Sequence, residues 1–173
     1  MKIQKIVFVI AALAMLAPGT VLAQETHDVE ITIAGVAMLA VNDPATAVAL
    51  TTQQPADAGN PVTGSSDSKA IYYTVLTAIA NPYRITAQID AAPPAGTAVS
   101  VTANPGAGNG TSAGAVTLGL ATQDIITAIG STATGRDPAT PPELTYTLMV
   151  TNPGDLVAGT NATITVTLTL TDG

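Results

Sequence analysis

The sequence of 173 residues contains no cysteine. Disulfide bonds, zinc–thiolate and iron–sulfur sites and thiol-based catalysis are therefore excluded. Small domains that work outside the cytosol commonly rely on disulfides. A fold without them must obtain its stability from apolar burial and strand pairing.

Aromatic residues are also scarce, with no tryptophan, one phenylalanine and four tyrosines. The phenylalanine, Phe8, lies in the N-terminal apolar run, which leaves Tyr72, Tyr73, Tyr83 and Tyr146 for the rest of the chain. Carboxylates for glycoside hydrolysis are present, but the aromatic platform that commonly holds a sugar is not. This composition argues against a glycosidase and weakens the case for a lectin.

Basic residues are few, five against twelve acids. Two of the five, Lys2 and Lys5, belong to an N-terminal segment that we expect to be removed, which leaves a formal charge of 3 − 12 = −9. Such a charge repels nucleic acids and anionic membrane surfaces. A nucleic-acid function is excluded on this ground.

The N-terminus has the pattern of a secretory signal peptide. Lys2 and Lys5 precede an apolar run over 6–17, and Pro18-Gly19 is followed by Val21-Leu22-Ala23, which predicts cleavage after Ala23. The run is shorter than the roughly 20 residues that span a bilayer, so we expect no membrane insertion after cleavage. The prediction is a protein secreted to the extracellular space or cell surface, with the periplasm as an alternative, and one domain over residues 24–173.

The mature chain alternates apolar and polar residues with the period of β-strands, and turn residues separate the segments. The predicted strands are 29–33, 36–41, 47–51, 70–79, 83–90, 97–103, 115–121, 144–150 and 163–171. Strand 36–41 is apolar on both sides, which predicts that both its faces are covered. Strands 70–79 and 83–90 are expected to form a hairpin at Asn81-Pro82.

One short helix is predicted at Thr122–Gly130. Thr122 suits the N-cap, Asp124 suits the positive end of the helix dipole, and Gly130 suits the C-terminal turn. The isoleucines between them share one helical face. The fold class predicted is all-β: a single immunoglobulin-like or jelly-roll-like antiparallel β-sandwich of eight or nine strands with one short helical turn, and a barrel is the less favoured alternative.

Motifs for catalysis and metal binding are incomplete. Gly110–Gly114 matches the G-x-S-x-G pattern of a nucleophile elbow around Ser112, but the only histidine, His27, precedes it in the chain instead of following it. Asp57, Asp67 and Asp155 lie in predicted turns without the spacing of a calcium loop. We therefore predict no catalytic residue, no cofactor and no metal site.

Two N-glycosylation sequons are present. They start at Asn109 and Asn161. Whether they are used depends on the cell that makes the protein.

The last predicted strand is the most regular. Ile164, Val166, Leu168 and Leu170 alternate with threonines from Thr163 to Thr171. Sheet edges are usually protected by lysine, proline or inward charges, and this strand has none before Asp172. Either it lies in the middle of a sheet, or its edge pairs with another chain.

An extended apolar segment also follows the cleavage site. In the signal peptide, this segment and the sandwich, the chain resembles secreted fimbrial or filament subunits, which polymerise by donating an N-terminal strand to a neighbour. The resemblance implies self-association through strand pairing, with Val29, Ile31, Ile33 and Val36 as the donated side chains. It differs from the common versions, which carry a disulfide.

Three other interpretations fit the same residues. The N-terminal strand pairs within its own domain, or the protein is a monomeric adhesin whose loops 53–68 and 104–114 bind a glycan or a protein. A secreted hydrolase is the least favoured, because it requires His27 or several acids to meet in one pocket.

Overall fold

The computed structural model describes residues 28–77, 81–136 and 140–173. The predicted signal peptide, its cleavage site and His27 lie outside the described residues. The chain divides into two compact units, residues 1–32 and residues 33–173. All strands of the described residues belong to the second unit.

The described residues form an all-β protein, as predicted. Their strands are β1 (Val36–Val41), β2 (Thr52–Gln53), β3 (Thr63–Gly64), β4 (Ser66–Leu76), β5 (Tyr83–Ile89), β6 (Thr97–Asn104), β7 (Thr111–Ser112), β8 (Ala115–Thr117), β9 (Gln123–Ile129), β10 (Thr132–Ala133), β11 (Glu143–Val150) and β12 (Val166–Asp172). Their only helical element is a single 3-10 turn, Pro153–Asp155.

Two antiparallel sheets pack face to face, which confirms the predicted β-sandwich. The first has the strand order β1-β4-β11-β6-β8, with β10 also paired to β4. The second has the order β12-β5-β9-β7, and β2 and β3 form a separate two-stranded hairpin. Every second side chain of each strand points inward, and those of the two sheets meet between them.

The core is aliphatic and continuous between the two sheets. Along β4, Ile71, Tyr73 and Val75 point inward and are at most 2% exposed. The other buried apolar residues are Ile85, Ala87, Ile89, Val99, Val101, Ala103, Leu118, Ile125, Ile126, Ile129, Leu144 and Tyr146.

The helix predicted at Thr122–Gly130 is wrong, because this segment is strand β9. Its pairing with β5 shifts register between Ile85/Ile126 and Thr86/Asp124, which leaves Ile125 as an extra residue. Such a bulge lets the consecutive residues Ile125 and Ile126 both be buried. Asp124 caps no helix and lies 3.7 Å from the guanidinium of Arg84 on β5.

The predicted hairpin between 70–79 and 83–90 is also wrong. β4 belongs to the first sheet and β5 to the second. The connection at Asn81-Pro82 therefore crosses between sheets. A turn sequence marks where the chain changes direction, but it does not determine which strand the next segment pairs with.

Three predictions for the first half of the chain need correction. Residues 29–33 and 47–51 are assigned no strand, and the loop after β1 instead holds the β2–β3 hairpin. Strand 36–41 is present as β1, but at the edge of its sheet, with Met38 66% exposed on the outer face. An edge strand does not have both faces covered.

Candidate functional site

The four residues predicted for strand donation separate into two groups. Val29, Ile31 and Ile33 lie outside any strand and are 72%, 80% and 78% exposed. Val36 begins β1, where it pairs with Leu76 and is 37% exposed. Covering these exposed aliphatic side chains with a second surface lowers the free energy of the protein, because it removes apolar area from water.

The alternation of the last strand corresponds to two faces of β12. The aliphatic residues of the segment pack against the core, and its threonines at 167 and 169 are exposed, as are Thr163 and Thr165 in the coil before the strand. The inner side chains remain only partly buried because β12 is the outermost strand of the second sheet. Of the two positions inferred from the sequence, central or edge, the structure has the edge.

Hydrogen bonds at both ends of β12 identify which backbone groups face outward. The amide of Asp90 donates to the carbonyl of Thr165 at 3.1 Å, and the amide of Gly173 donates to the carbonyl of Pro82 at 2.9 Å. Antiparallel pairing alternates between bonded and non-bonded residues, so the odd-numbered residues between them face β5. The amides and carbonyls of Val166, Leu168 and Leu170 therefore point to the free edge.

Asp90 fixes the start of this C-terminal segment. Its Oδ1 accepts a hydrogen bond from the amide of Thr165 at 2.8 Å. This bond stabilises the carboxylate and holds the pKa of Asp90 below its usual value. β12 is thus attached at a definite register and leaves its outer edge unpaired within the described residues.

A cavity of about 710 Å³ opens between the two sheets near the start of β12. Val99 and Leu148 line it from the first sheet, and Ile89, Val166 and Leu168 line it from the second. Coil segments over 46–51 and 161–165 and the turn residues Pro93 and Pro94 form further parts of the wall. The volume lies within the range of about 300–1,000 Å³ typical of ligand pockets.

Polar side chains also line the cavity, among them Tyr146 and Lys69 on the strands of the first sheet. Tyr146 is 7% exposed, and burial raises its pKa to about 12, so its hydroxyl stays protonated. In the sequence, Tyr146 shares the period-two face of Leu144 and Leu148, which predicts that it packs in the core. The cavity itself had no sequence signal, because it is formed by coil segments and both sheets together.

The Ser112 motif has the geometry of a turn. Ser112 lies in the two-residue strand β7, which is followed by β8, and its Oγ accepts a hydrogen bond from the amide of Gly114 at 3.1 Å. The strand-to-helix geometry of a nucleophile elbow is absent from the described residues around it. Loop 104–114 is held at Asn109, whose backbone carbonyl accepts a hydrogen bond from the Tyr73 hydroxyl.

The acids considered for calcium lie on separate segments. Asp67 accepts hydrogen bonds from the amides of Ala49 and Ser68, which hold its pKa below the usual value. Asp155 accepts one from the side chain of Asn152. Among the described residues, no three acids or histidines are grouped so that they could hold a metal ion.

The two sequons differ in accessibility. The side-chain oxygen of Asn109 accepts a hydrogen bond of 2.6 Å from Thr132, whereas Asn161 is exposed at the rim of the cavity. Asn161 is therefore the more accessible of the two.

In the part of the chain that the structure describes, no helix has the length and apolar character needed to cross a membrane. No protein-family model matches the sequence, and comparisons with curated proteins and with solved structures gave no significant match.

Proposed function

We propose that this chain is an extracellular, non-enzymatic structural protein, a subunit of a surface filament, fimbria or matrix that assembles by β-strand pairing. The observation that carries the proposal is the exposure of Val29, Ile31 and Ile33, which alternate as a strand does but belong to none. In the assembly, this segment of one copy pairs with the sheet of another.

The free edge of β12 supports the acceptor half of the proposal. Its outward amides and carbonyls can hydrogen-bond to an added strand, as in β-augmentation. The edge also lacks the lysines, prolines and inward charges that prevent such pairing.

The charge of the chain decides which contacts can drive assembly. With a formal charge of −9 after removal of residues 1–23, two copies repel each other at long range. Assembly must therefore depend on apolar burial and backbone hydrogen bonds. Added salt screens the repulsion, so we expect it to favour assembly.

The test is negative-stain electron microscopy of residues 24–173 at high protein concentration, together with light scattering. We expect filaments from the unmodified protein and none from Ile31→Asp, which places a charge among the donated side chains. Thr32→Asp is the matched control, because it adds the same charge at the neighbouring position of the polar face. We expect Thr32→Asp to retain filaments.

Two results would contradict the proposal. One is a strictly monomeric protein at high concentration and in added salt. The other is equal assembly by Ile31→Asp and the unmodified protein, since the exposed alternating face would then have no part in it.

A further inference from the structure

The cavity between the sheets contains a hydroxyl without a partner. Tyr146 is only 7% exposed and lines the cavity. Its hydroxyl makes no hydrogen bond to the described residues. The comparable hydroxyl of Tyr73 does have a partner, the carbonyl of Asn109 at 2.7 Å. No polar side-chain atom of the described residues is both fully buried and unpaired, so the Tyr146 hydroxyl opens onto the cavity. There it is available to donate a hydrogen bond to a ligand group.

Lys69 provides a positive charge at the same cavity. Its ammonium donates to the backbone carbonyl of Asp43 at 3.0 Å, which leaves two of its three N–H donors for another acceptor. Lys69 on β4 is directly opposite Leu144 on the paired strand β11. Leu144 and Tyr146 are successive inward-facing residues of β11. The two donors therefore lie on the same face, as diagonal neighbours across the strand pair.

The carboxylate of Asp67 is also close, since Asp67 is directly opposite Tyr146. Both of its oxygens already accept hydrogen bonds from backbone amides, those of Ala49 and Ser68. Among the described residues, Asp67 accepts no hydrogen bond from the Tyr146 hydroxyl. Its charge weakens the attraction of Lys69 for an anion without removing the two donors.

We propose that this cavity binds a straight-chain amphiphile, with its hydrocarbon body between the sheets and a carboxylate head held by Tyr146 and Lys69. Aliphatic side chains from both sheets provide the apolar walls that a hydrocarbon chain requires. A hydroxyl and an ammonium are the donors that suit a carboxylate. Val166 and Leu168 contribute side chains to the cavity and backbone groups to the free edge of β12. Ligand binding uses the side chains alone, so the proposal does not depend on filament assembly.

The first test is calorimetric titration of residues 24–173 with straight-chain monocarboxylates of increasing length, each below its micelle concentration. Each added methylene buried in the cavity is expected to lower Kd about fourfold, until the cavity is full. The primary alcohol of the same length tests the head group. We expect the alcohol to bind less tightly than the carboxylate.

Variants then locate the site. Ala162→Phe places a bulky ring at an exposed position of the cavity wall and is expected to weaken binding at least tenfold. Ala121→Phe, at an exposed turn outside the lining, is the matched control and is expected to bind as the unmodified protein does. Tyr146→Phe is expected to weaken carboxylate binding about tenfold, the effect of one hydrogen bond to a charged group.

Lys69→Met separates the two parts of the ligand. It is expected to reduce the affinity of the carboxylate to that of the alcohol, and to leave the alcohol unchanged. The proposal is overturned if affinity does not depend on chain length, or if Ala162→Phe and Ala121→Phe bind equally. Equal binding of carboxylate and alcohol to the unmodified protein would overturn the assignment of the head group.

Discussion

The hydroxyl of Tyr73 donates a hydrogen bond of 2.7 Å to the backbone carbonyl of Asn109. Tyr73 is in β4 of the first sheet, and Asn109 lies in the loop that leads to β7 of the second. The side chain of Asn109 also accepts a hydrogen bond from Thr132 in β10. One residue thus joins the loop to the first sheet through both its backbone and its side chain.

Removal of this link should cost stability. Tyr73→Phe leaves the ring in the core but deprives the Asn109 carbonyl of its donor, and we expect a loss of about 1 kcal/mol in the free energy of unfolding. Tyr146→Phe is the matched control, because its hydroxyl has no partner in the described residues, and we expect it to change stability little. Urea denaturation of both variants provides the measurement. Equal losses would show that the Tyr73 hydrogen bond is not what stabilises the loop.

The residue after Asn109 is predicted to tolerate no side chain. Gly110 has φ +117°, and an added Cβ would lie 2.9 Å from side-chain atoms of both Ile126 and Ile129. We expect Gly110→Ala to destabilise the protein by about 2–4 kcal/mol, from overpacking together with backbone strain. Gly108→Ala is the control: φ is +79° but the space is open, so only the strain of about 1 kcal/mol is expected. A smaller loss for Gly110→Ala than for Gly108→Ala would contradict the packing argument.

The sequence located several strands closely because side-chain alternation is a local property. The predicted ranges 83–90, 97–103 and 144–150 agree to within one residue with β5, β6 and β11. Pairing is different, since it depends on contacts between residues far apart in the chain. For that reason the alternation did not show that β4 and β5 belong to different sheets.

The failure at β9 has a specific cause. Ile125, Ile126 and Ile129 have the spacing of one helical face, but a bulged strand can bury the same three residues. The sequence between Thr122 and Gly130 is compatible with both. What decides between them is the neighbouring strand β5, whose Ile85 and Ala87 face the same core.

The candidate site was predicted only in part. The alternation indicated the aliphatic face of β12. It also singled out Val29, Ile31 and Ile33, but it placed them in a strand that the structure does not have. The cavity could not be predicted, because the sequence placed residues 47–51 and 163–165 in strands, whereas the structure has them as coil that forms part of its wall. Their position depends on contacts such as the hydrogen bond between Ala49 and Asp67.

Acid should weaken the attachment of the C-terminal segment. The pKa of Asp90 is lowered in the folded state by its hydrogen bond from Thr165, so its contribution to stability is present above the unfolded value of about 3.9 and is lost as pH falls through the folded value. We expect the melting temperature of the unmodified protein to fall more steeply below pH 4 than that of Asp90→Asn, which has no proton to gain. Thermal melts between pH 2.5 and pH 6 provide the comparison. Parallel curves would contradict the role assigned to Asp90.

A lysine at the edge of β12 should block assembly without unfolding the protein. Thr169 lies on the exposed face of this outermost strand, and charged edge residues are a common protection against strand addition. We expect Thr169→Lys to abolish the filaments proposed above with a change in unfolding free energy below about 0.5 kcal/mol. Thr102→Lys, exposed on β6 between two neighbouring strands, is the matched control and is expected to retain them. Because both variants add the same positive charge to an acidic protein, a general electrostatic effect would change both alike. Loss of filaments in Thr102→Lys but not in Thr169→Lys would place the acceptor edge elsewhere.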